Sequence, residues 1–209
     1  MFSSGELPNM PTLAYRPRDR RNGIGLPPKM SFKNILQILA RPEWLVKTMQ
    51  HGQPKFAIME PYLESLNNQI DFDNRLTEQK IAIIRDRWKG KLVIKGILSE
   101  EDAAAAVRLG VDGIIVSNHG GRQLDAGPSS IKSIGPIVEK YQDKIKIMMD
   151  SGLRSGPDIA RTLATGAEFT FMGRMFMYAI AALGDDGADH IIESLKIQLK
   201  QVMEQISCA

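Results

Sequence analysis

The chain has 209 residues, 43% hydrophobic and 24% charged, with a net charge of +3, a composition that fits one well-buried core and excludes a disordered or fibrous chain. No apolar run approaches the roughly 18 to 20 residues needed to cross a bilayer, and the opening nine residues lack the basic-then-apolar pattern of a secretory signal. The single cysteine, Cys208, excludes an internal disulfide framework and offers no metal site, so a reducing, cytoplasmic setting is expected.

The charge is unevenly placed. Residues 1–60 carry nine Lys or Arg against four Asp or Glu, and the remainder carries eighteen against twenty. A basic leading segment of this kind is either a solvated face or a surface drawn to an anionic partner. No nucleic-acid partner is expected.

In chain order, Met1–Arg21 is irregular and rich in Pro, Ser and Arg, and the turn-forming pairs Asn22-Gly23 and Pro27-Pro28 come directly after it, so the opening reads as loop. Phe32, Ile35, Leu36 and Leu39 then recur at helical spacing after the capping residue Ser31. Arg41-Pro42-Glu43 starts a second short helix through Trp44, Leu45 and Met49. Gly52–Asp73, with Pro54, Pro61 and Asn67-Asn68, predicts loop with one or two helical turns. Residues 1–75 are thus expected to form a loop and helical insertion, and 76–209 the regular part of one partial domain.

From Thr77 a cycle sets in. It runs helix Thr77–Trp88, strand Lys91–Ile97, helix Glu100–Leu109 behind the cap Ser99, strand Gly113–Val116, helix Ser130–Tyr141, strand Lys144–Met149, helix Pro157–Ala164, strand Glu168–Met172, helix Arg174–Leu183 and a last helix from Ala188 to about Ile206. Strands that are apolar throughout and alternate with helices predict a parallel sheet. Four strand-helix units are present, where a closed (β/α)8 TIM barrel has eight in about 250 residues. The expected fold is therefore α/β, half of a TIM barrel, and its C-terminal half if the four units are the last four. An open doubly wound sheet competes, but no strand is followed by Gly-x-Gly-x-x-Gly. Open edges on such a half barrel would leave interior-facing positions such as Leu92, Ile94, Ile115, Ile147 and Phe169, or their neighbours, partly exposed and prone to pairing.

In either architecture function belongs to the loops after the strands. Lys95, in a run of Leu, Val and Ile, has to point where its charge can be solvated or paired. The second strand leads into Ser117, His119, Gly120, Gly121 and Arg122. Histidine can take a proton near neutral pH, and an arginine three residues on can grip a carboxylate with two hydrogen bonds, a pair suited to abstracting a proton from a bound organic acid. The third strand ends in Asp150-Ser151-Gly152-Leu153-Arg154-Ser155-Gly156 and the fourth in Met172-Gly173-Arg174, each just before a helix. Glycine-opened helix starts beside arginine bind phosphate, and barrels place such a site after strands seven and eight.

Lys91–Ile97, Ser117–Asp125, Asp150–Gly156 and Gly173-Arg174, in this order and spacing, resemble the FMN-dependent α-hydroxy-acid dehydrogenases and oxidases, the family of L-lactate dehydrogenase, mandelate dehydrogenase and glycolate oxidase. The resemblance runs from about Met10 to Cys208. It implies FMN as cofactor and oxidation of a small, lactate-like L-2-hydroxy acid to the 2-oxo acid. By it, His119 is the catalytic base, and Lys95 lies beside the N1–C2 edge of the flavin, where it supports negative charge. Arg122 and Arg16 bind the substrate carboxylate. Ser117, Asp150, Ser151, Gly152, Arg154, Gly173 and Arg174 hold the cofactor. A phosphate-binding barrel of the inosine-monophosphate dehydrogenase type is the alternative, but it needs a catalytic cysteine and Cys208 lies in the wrong place.

The departures carry expectations of their own. The family's aspartate that orients the histidine falls at Asn9, which cannot stabilise an imidazolium as a carboxylate does, and its preceding threonine falls at Leu7. The family's first half has no counterpart, which implies a truncated or split chain that self-associates or needs a complementary N-terminal half, or a non-catalytic remnant that keeps the FMN cradle. In membrane-associated members the segment after Arg-Asp-x-Arg-Asn-Gly makes the membrane contact, so Ile24–Tyr62 is expected to reach an anionic surface at the inner face of the cell membrane.

Overall fold

The computed structural model describes residues 17–22, 31–52 and 76–208. Arg16, Leu7, Asn9 and most of the loop expected over Gly52–Asp73 lie outside the described residues. The described residues divide into two units, one holding 17–22 and 31–52 and the other 76–208.

In the first unit the loop expected up to Arg21 is interrupted by a helix, α1 (Pro17–Arg21). Pro17 suits a first helical position because its missing N–H would have no partner there, and Asp19 meets the positive end of the turn. The pair α2 (Phe32–Leu39) and α3 (Pro42–His51) comes next, as expected. Ser31 caps α2 by accepting a 3.2 Å hydrogen bond from the Asn34 N–H, and Pro42 opens α3. Neither helix buries a residue: Phe32 and Met49 are each 77% exposed, and Leu36, Leu39, Trp44 and Val46 are also open to solvent.

The second unit contains α4 (Glu78–Arg87), β1 (Val93–Ile97), α5 (Glu100–Arg108), β2 (Gly113–Val116), α6 (Ser130–Tyr141), β3 (Lys146–Met149), α7 (Gly156–Ala164), β4 (Phe169–Thr170), α8 (Arg174–Leu183) and α9 (Gly187–Gln205). All strand pairs are parallel, and the order across the sheet is β1-β2-β3-β4. An order that never reverses has no switch point, which separates this sheet from a doubly wound one and makes it a partial (β/α)8 barrel. The strand β4 is two residues long where five are expected. Its pairing ends at Thr170, opposite Met149, the last residue of β3.

Strand alternation sorts the side chains. Ile94, Ile114 and Ile147 are aligned across the sheet, as are Ile97, Val116 and Met149, and both rows are buried in one cluster with Ala103 and Ala106 of α5 and Ile134 and Ile137 of α6. Burying each isoleucine is worth about 1.5–3 kcal/mol. The intervening row, Lys95, Ile115, Met148 and Phe169, lies on the opposite face, where Phe169 is 57% exposed. Ile94 and Ile147, expected on the open face, are only 6% and 1% exposed. They have the opposite parity and pack under the helices.

One carboxylate ties the base of the sheet together. Asp112, just before β2, accepts hydrogen bonds from Lys91 Nζ at 2.8 Å, the Leu92 N–H at 2.9 Å and Arg85 Nη1 at 3.0 Å, joining α4 to both strands. At the other side, Gly156 allows α7 to lie close against α9. A Cβ there would come within 2.5 Å of the Leu199 nitrogen, and the Gly156 N–H donates to Gln198 Oε1 at 2.8 Å.

Candidate active site

The ends of β1, β2 and β3 converge on a charged pair. Lys95 Nζ lies 2.9 Å from Asp150 Oδ2 and donates to Ser117 Oγ at 2.7 Å. Ser117, the first residue after β2, is 2% exposed and also receives the His119 N–H at 3.1 Å. Burial opposes ionisation of Asp150, but hydrogen bonds from Ser117, Lys95 and Ser151 outweigh it and hold the carboxyl below its usual range. The lysine's charge is thus answered where it enters the open face.

The loop after β2 takes a tight path. His119, Gly120 and Gly121 have successive φ values of 56°, 68° and 70°, all in the left-handed region. Asn118 shapes the turn: Oδ1 accepts from the Gly120 N–H at 3.0 Å, and Nδ2 donates to the Pro128 carbonyl at 3.3 Å. Its own N–H reaches Ser130 Oγ at 3.0 Å, at the start of α6. Sequence reasoning passed over Asn118 and Ser130; the one signal available was asparagine's habit of bonding its own backbone two residues on.

The loops after β3 and β4 complete the wall. Arg174 Nη2 donates to the Gly120 carbonyl at 3.1 Å, and the Arg154 guanidinium lies 5.9 Å from the Tyr178 ring centre, a contact that sequence spacing does not reveal. One cleft is lined by Lys95, His119, Arg122, Asp150, Ser151, Gly152, Arg154, Gly173 and Arg174, together with Leu153, Phe171 and Met172. Of the residues singled out from the sequence, Ser117 lies beneath this wall and Arg16 lies outside the described residues.

An anionic cofactor group fits the cleft at one helix start better than the other. The first turn of α7 is engaged by its own side chains: Asp158 Oδ2 accepts from the Arg154 N–H at 3.0 Å, and Ser155 caps the helix. The first turn of α8 follows Gly173, which offers no side-chain cap, and Arg174 stands beside it. A Cβ at Gly152 or Gly173 would meet nothing within 4 Å, so backbone is open to a ligand at both. Uncapped amides flanked by Arg154 and Arg174 are the donor set a phosphate needs. Lys95, His119 and Arg122 line the same cleft.

The sequence model described as FMN-dependent dehydrogenase matches residues 9–209. An L-lactate dehydrogenase of Haemophilus influenzae (strain PittEE) is 38% identical over 206 residues, covering 93% of this chain and 53% of that protein. The crystal structure of the monotopic membrane protein (S)-mandelate dehydrogenase superposes with a TM-score of 0.84 at 35% identity, over 94% of this chain and 54% of the other. A soluble mutant of the membrane-associated (S)-mandelate dehydrogenase from Pseudomonas putida gives 0.72 at 33% identity, over 95% and 51%. The chain spans about half the length of the curated relatives it matches. With the family match running nearly end to end and the strand order agreeing with it, the chain belongs to the FMN-dependent dehydrogenases.

Proposed function

We propose that this chain carries the flavin- and substrate-handling half of an FMN-dependent oxidation of a small, lactate-like L-2-hydroxy acid to its 2-oxo acid. The observation that carries the reading is the convergence of Lys95, His119, Arg122, Arg154 and Arg174 on one cleft at the carboxyl ends of parallel strands. FMN, when bound, accepts the two electrons that leave the substrate's α-carbon. Arg154, Arg174 and the first amides of α8 hold its phosphate, and Lys95 supports negative charge on its ring. Arg122 grips the substrate carboxylate, and Arg16 is assigned the second contact. His119 takes a proton from the substrate.

The active form in this proposal is a closed barrel. Val93, Phe169 and Phe171 are exposed on or beside the sheet, and apolar surface of this kind is normally covered. The reading therefore has the chain alone impaired, and either self-associating or joined by a complementary N-terminal half. Residues 1–75 are assigned as an insertion whose helices α2 and α3 touch an anionic membrane surface. Among the described residues no helix is long and apolar enough to cross a membrane, so the contact is peripheral.

A second reading, an FMN binder without turnover, is favoured by Asn9, which stands where the family has the aspartate that orients its histidine. One experiment separates the two. Purified protein, alone and together with a complementary N-terminal half, is mixed with FMN and its visible spectrum recorded before and after adding L-lactate without oxygen. Bleaching supports the oxidation, a perturbed but unbleached flavin supports the binder, and an unperturbed spectrum sinks both.

A further inference from the structure

Among the described residues three non-glycine positions occupy the left-handed backbone region: His119, Ser151 and Ser207. Ser207 lies beyond α9. The other two lie on neighbouring loops of the cleft, and a hydrogen bond from the Gly120 N–H, next to His119, to Ser151 Oγ at 3.0 Å joins those loops. Paired outliers of this kind persist only where the surroundings hold them, and they point to function more often than to chance.

We infer that Ser151 is a positioning residue for His119, latching the loop after β2 to the loop after β3. This rests on the proposed reading only in taking His119 as the proton acceptor; the latch belongs to the chain itself. Ser151 Oγ accepts from Gly120 and donates to Asp150 Oδ1 at 2.8 Å. Ser117 Oγ does the same for the preceding amide, accepting from the His119 N–H at 3.1 Å while hydrogen-bonded to Asp150. Two successive amides of the histidine turn are therefore each received by a serine hydroxyl, and both hydroxyls meet one carboxylate, itself paired to Lys95 at 2.9 Å.

The backbone argues that the hydroxyl, not the conformation, is what matters at this position. At φ 79° glycine is the residue of lowest strain, and the next residue, Gly152 at φ 89°, is one. Serine at 151 accepts strain that glycine would relieve, and what it adds is an oxygen that accepts from the histidine loop while donating to Asp150. Asn118 Oδ1 also accepts from Gly120, but it lies within the turn and shapes it. Ser151 comes from another strand and fixes where the turn sits.

The test uses the full chain without cofactor and two variants, Ser151→Gly and Ser151→Ala. Glycine removes both hydroxyl and strain, so it folds; alanine removes the hydroxyl and keeps the strain. Amide hydrogen exchange at His119, Gly120 and Gly121 is compared with that at Ile114 and Ile147 in the core. The latch predicts loss of protection in the histidine turn by up to about tenfold in both variants, the scale of one net hydrogen bond. Core amides should be unchanged and the thermal midpoint of Ser151→Gly not lowered. Protection that survives in both variants, or falls equally in the core, overturns the proposal. In the assembled form with FMN bound, anaerobic bleaching by L-lactate should slow in both variants; a wild-type assembly that never bleaches defeats the hydroxy-acid reading while leaving the exchange result to decide the latch.

Discussion

Lys95 and Asp150, from strands separated in the sheet by β2, meet at 2.9 Å with the Ser117 hydroxyl bridging them. The carboxylate receives Lys95, Ser117 and Ser151 at once, and that combination keeps it ionised against its burial. Asp150→Asn retains the shape but offers a single acceptor oxygen, so one of these donors is left facing another donor. The expected loss is about 1–3 kcal/mol, the penalty for a polar group left without its partner. Urea unfolding of the variant measures it, and an unchanged midpoint would show that the cluster contributes nothing to the fold.

The same chemistry sets a pH dependence. Hydrogen bonds from Lys91, the Leu92 N–H and Arg85 hold Asp112 down to about 2, against an ordinary value of 3.8. Asp150 is lowered as well. Both carboxyls bind a proton less readily in the folded chain than in the unfolded one, so each stabilises the fold fully above its ordinary value and loses that contribution as pH falls toward the folded one. Stability should decline from about pH 4 down to about pH 2, and Asp112→Asn should make the decline shallower. Denaturant midpoints taken across this range that do not move would contradict the Asp112 clamp.

The elements were largely legible because their signals are local. Ser31, Thr77, Ser99 and Ser155 each cap the helix they precede, and the apolar runs at Ile94, Ile114 and Ile147 are strands. Face was not legible, because a strand that is apolar on both sides has no alternation to read; hence the misplacement of Ile94 and Ile147. Nor was the length of β4, which is decided by where β3 stops. In the site, strand-end charges such as Lys95, His119 and Arg174 stand out in sequence, and the structure gathers them in one cleft. Ser130 and Tyr178 could not be found that way, because their partners come from the fold rather than from neighbours in the chain, whereas Asn118 carried a local signal in its bond to Gly120.

The phosphate assignment rests on Arg174 beside the uncapped start of α8. Arg174→Gln should weaken FMN binding by roughly tenfold to a hundredfold, the scale of a charged hydrogen bond. Riboflavin, which lacks the phosphate, should bind wild type and variant alike. Flavin fluorescence titrations with both ligands make the comparison, and an equal loss for the two would place Arg174 elsewhere than at the phosphate.

His119 and Arg122 are assigned different tasks, and kinetics can tell them apart in whatever assembled form turns over. His119→Gln should slow the reductive half-reaction by about 10²–10⁴-fold, the usual contribution of a general base, with substrate affinity retained. Arg122→Lys keeps the charge but loses the two-pronged grip, so its main effect should be a raised KM. Anaerobic stopped-flow bleaching over a range of L-lactate concentrations resolves the two. A His119→Gln variant that bleaches at the wild-type rate would remove the histidine from the mechanism.

The membrane proposal turns on α2 and α3, whose apolar residues are exposed while the surrounding segment is basic. On α2, Phe32, Ile35, Leu36 and Leu39 recur three and four apart and so form one stripe, and all four are exposed. An exposed apolar stripe near Lys33, Arg41 and Lys47 suits the headgroup boundary of an anionic bilayer, where apolar burial and charge attraction act together. Co-sedimentation with phosphatidylserine-containing vesicles should be strong at low salt and weaker at high salt, because the charged share is screened and the apolar share is not. Leu36→Asp with Met49→Asp should abolish it at every salt concentration, since both changes place a repelled charge on the inserting surface. Binding that ignores both salt and the double substitution would assign the membrane contact to another part of the chain.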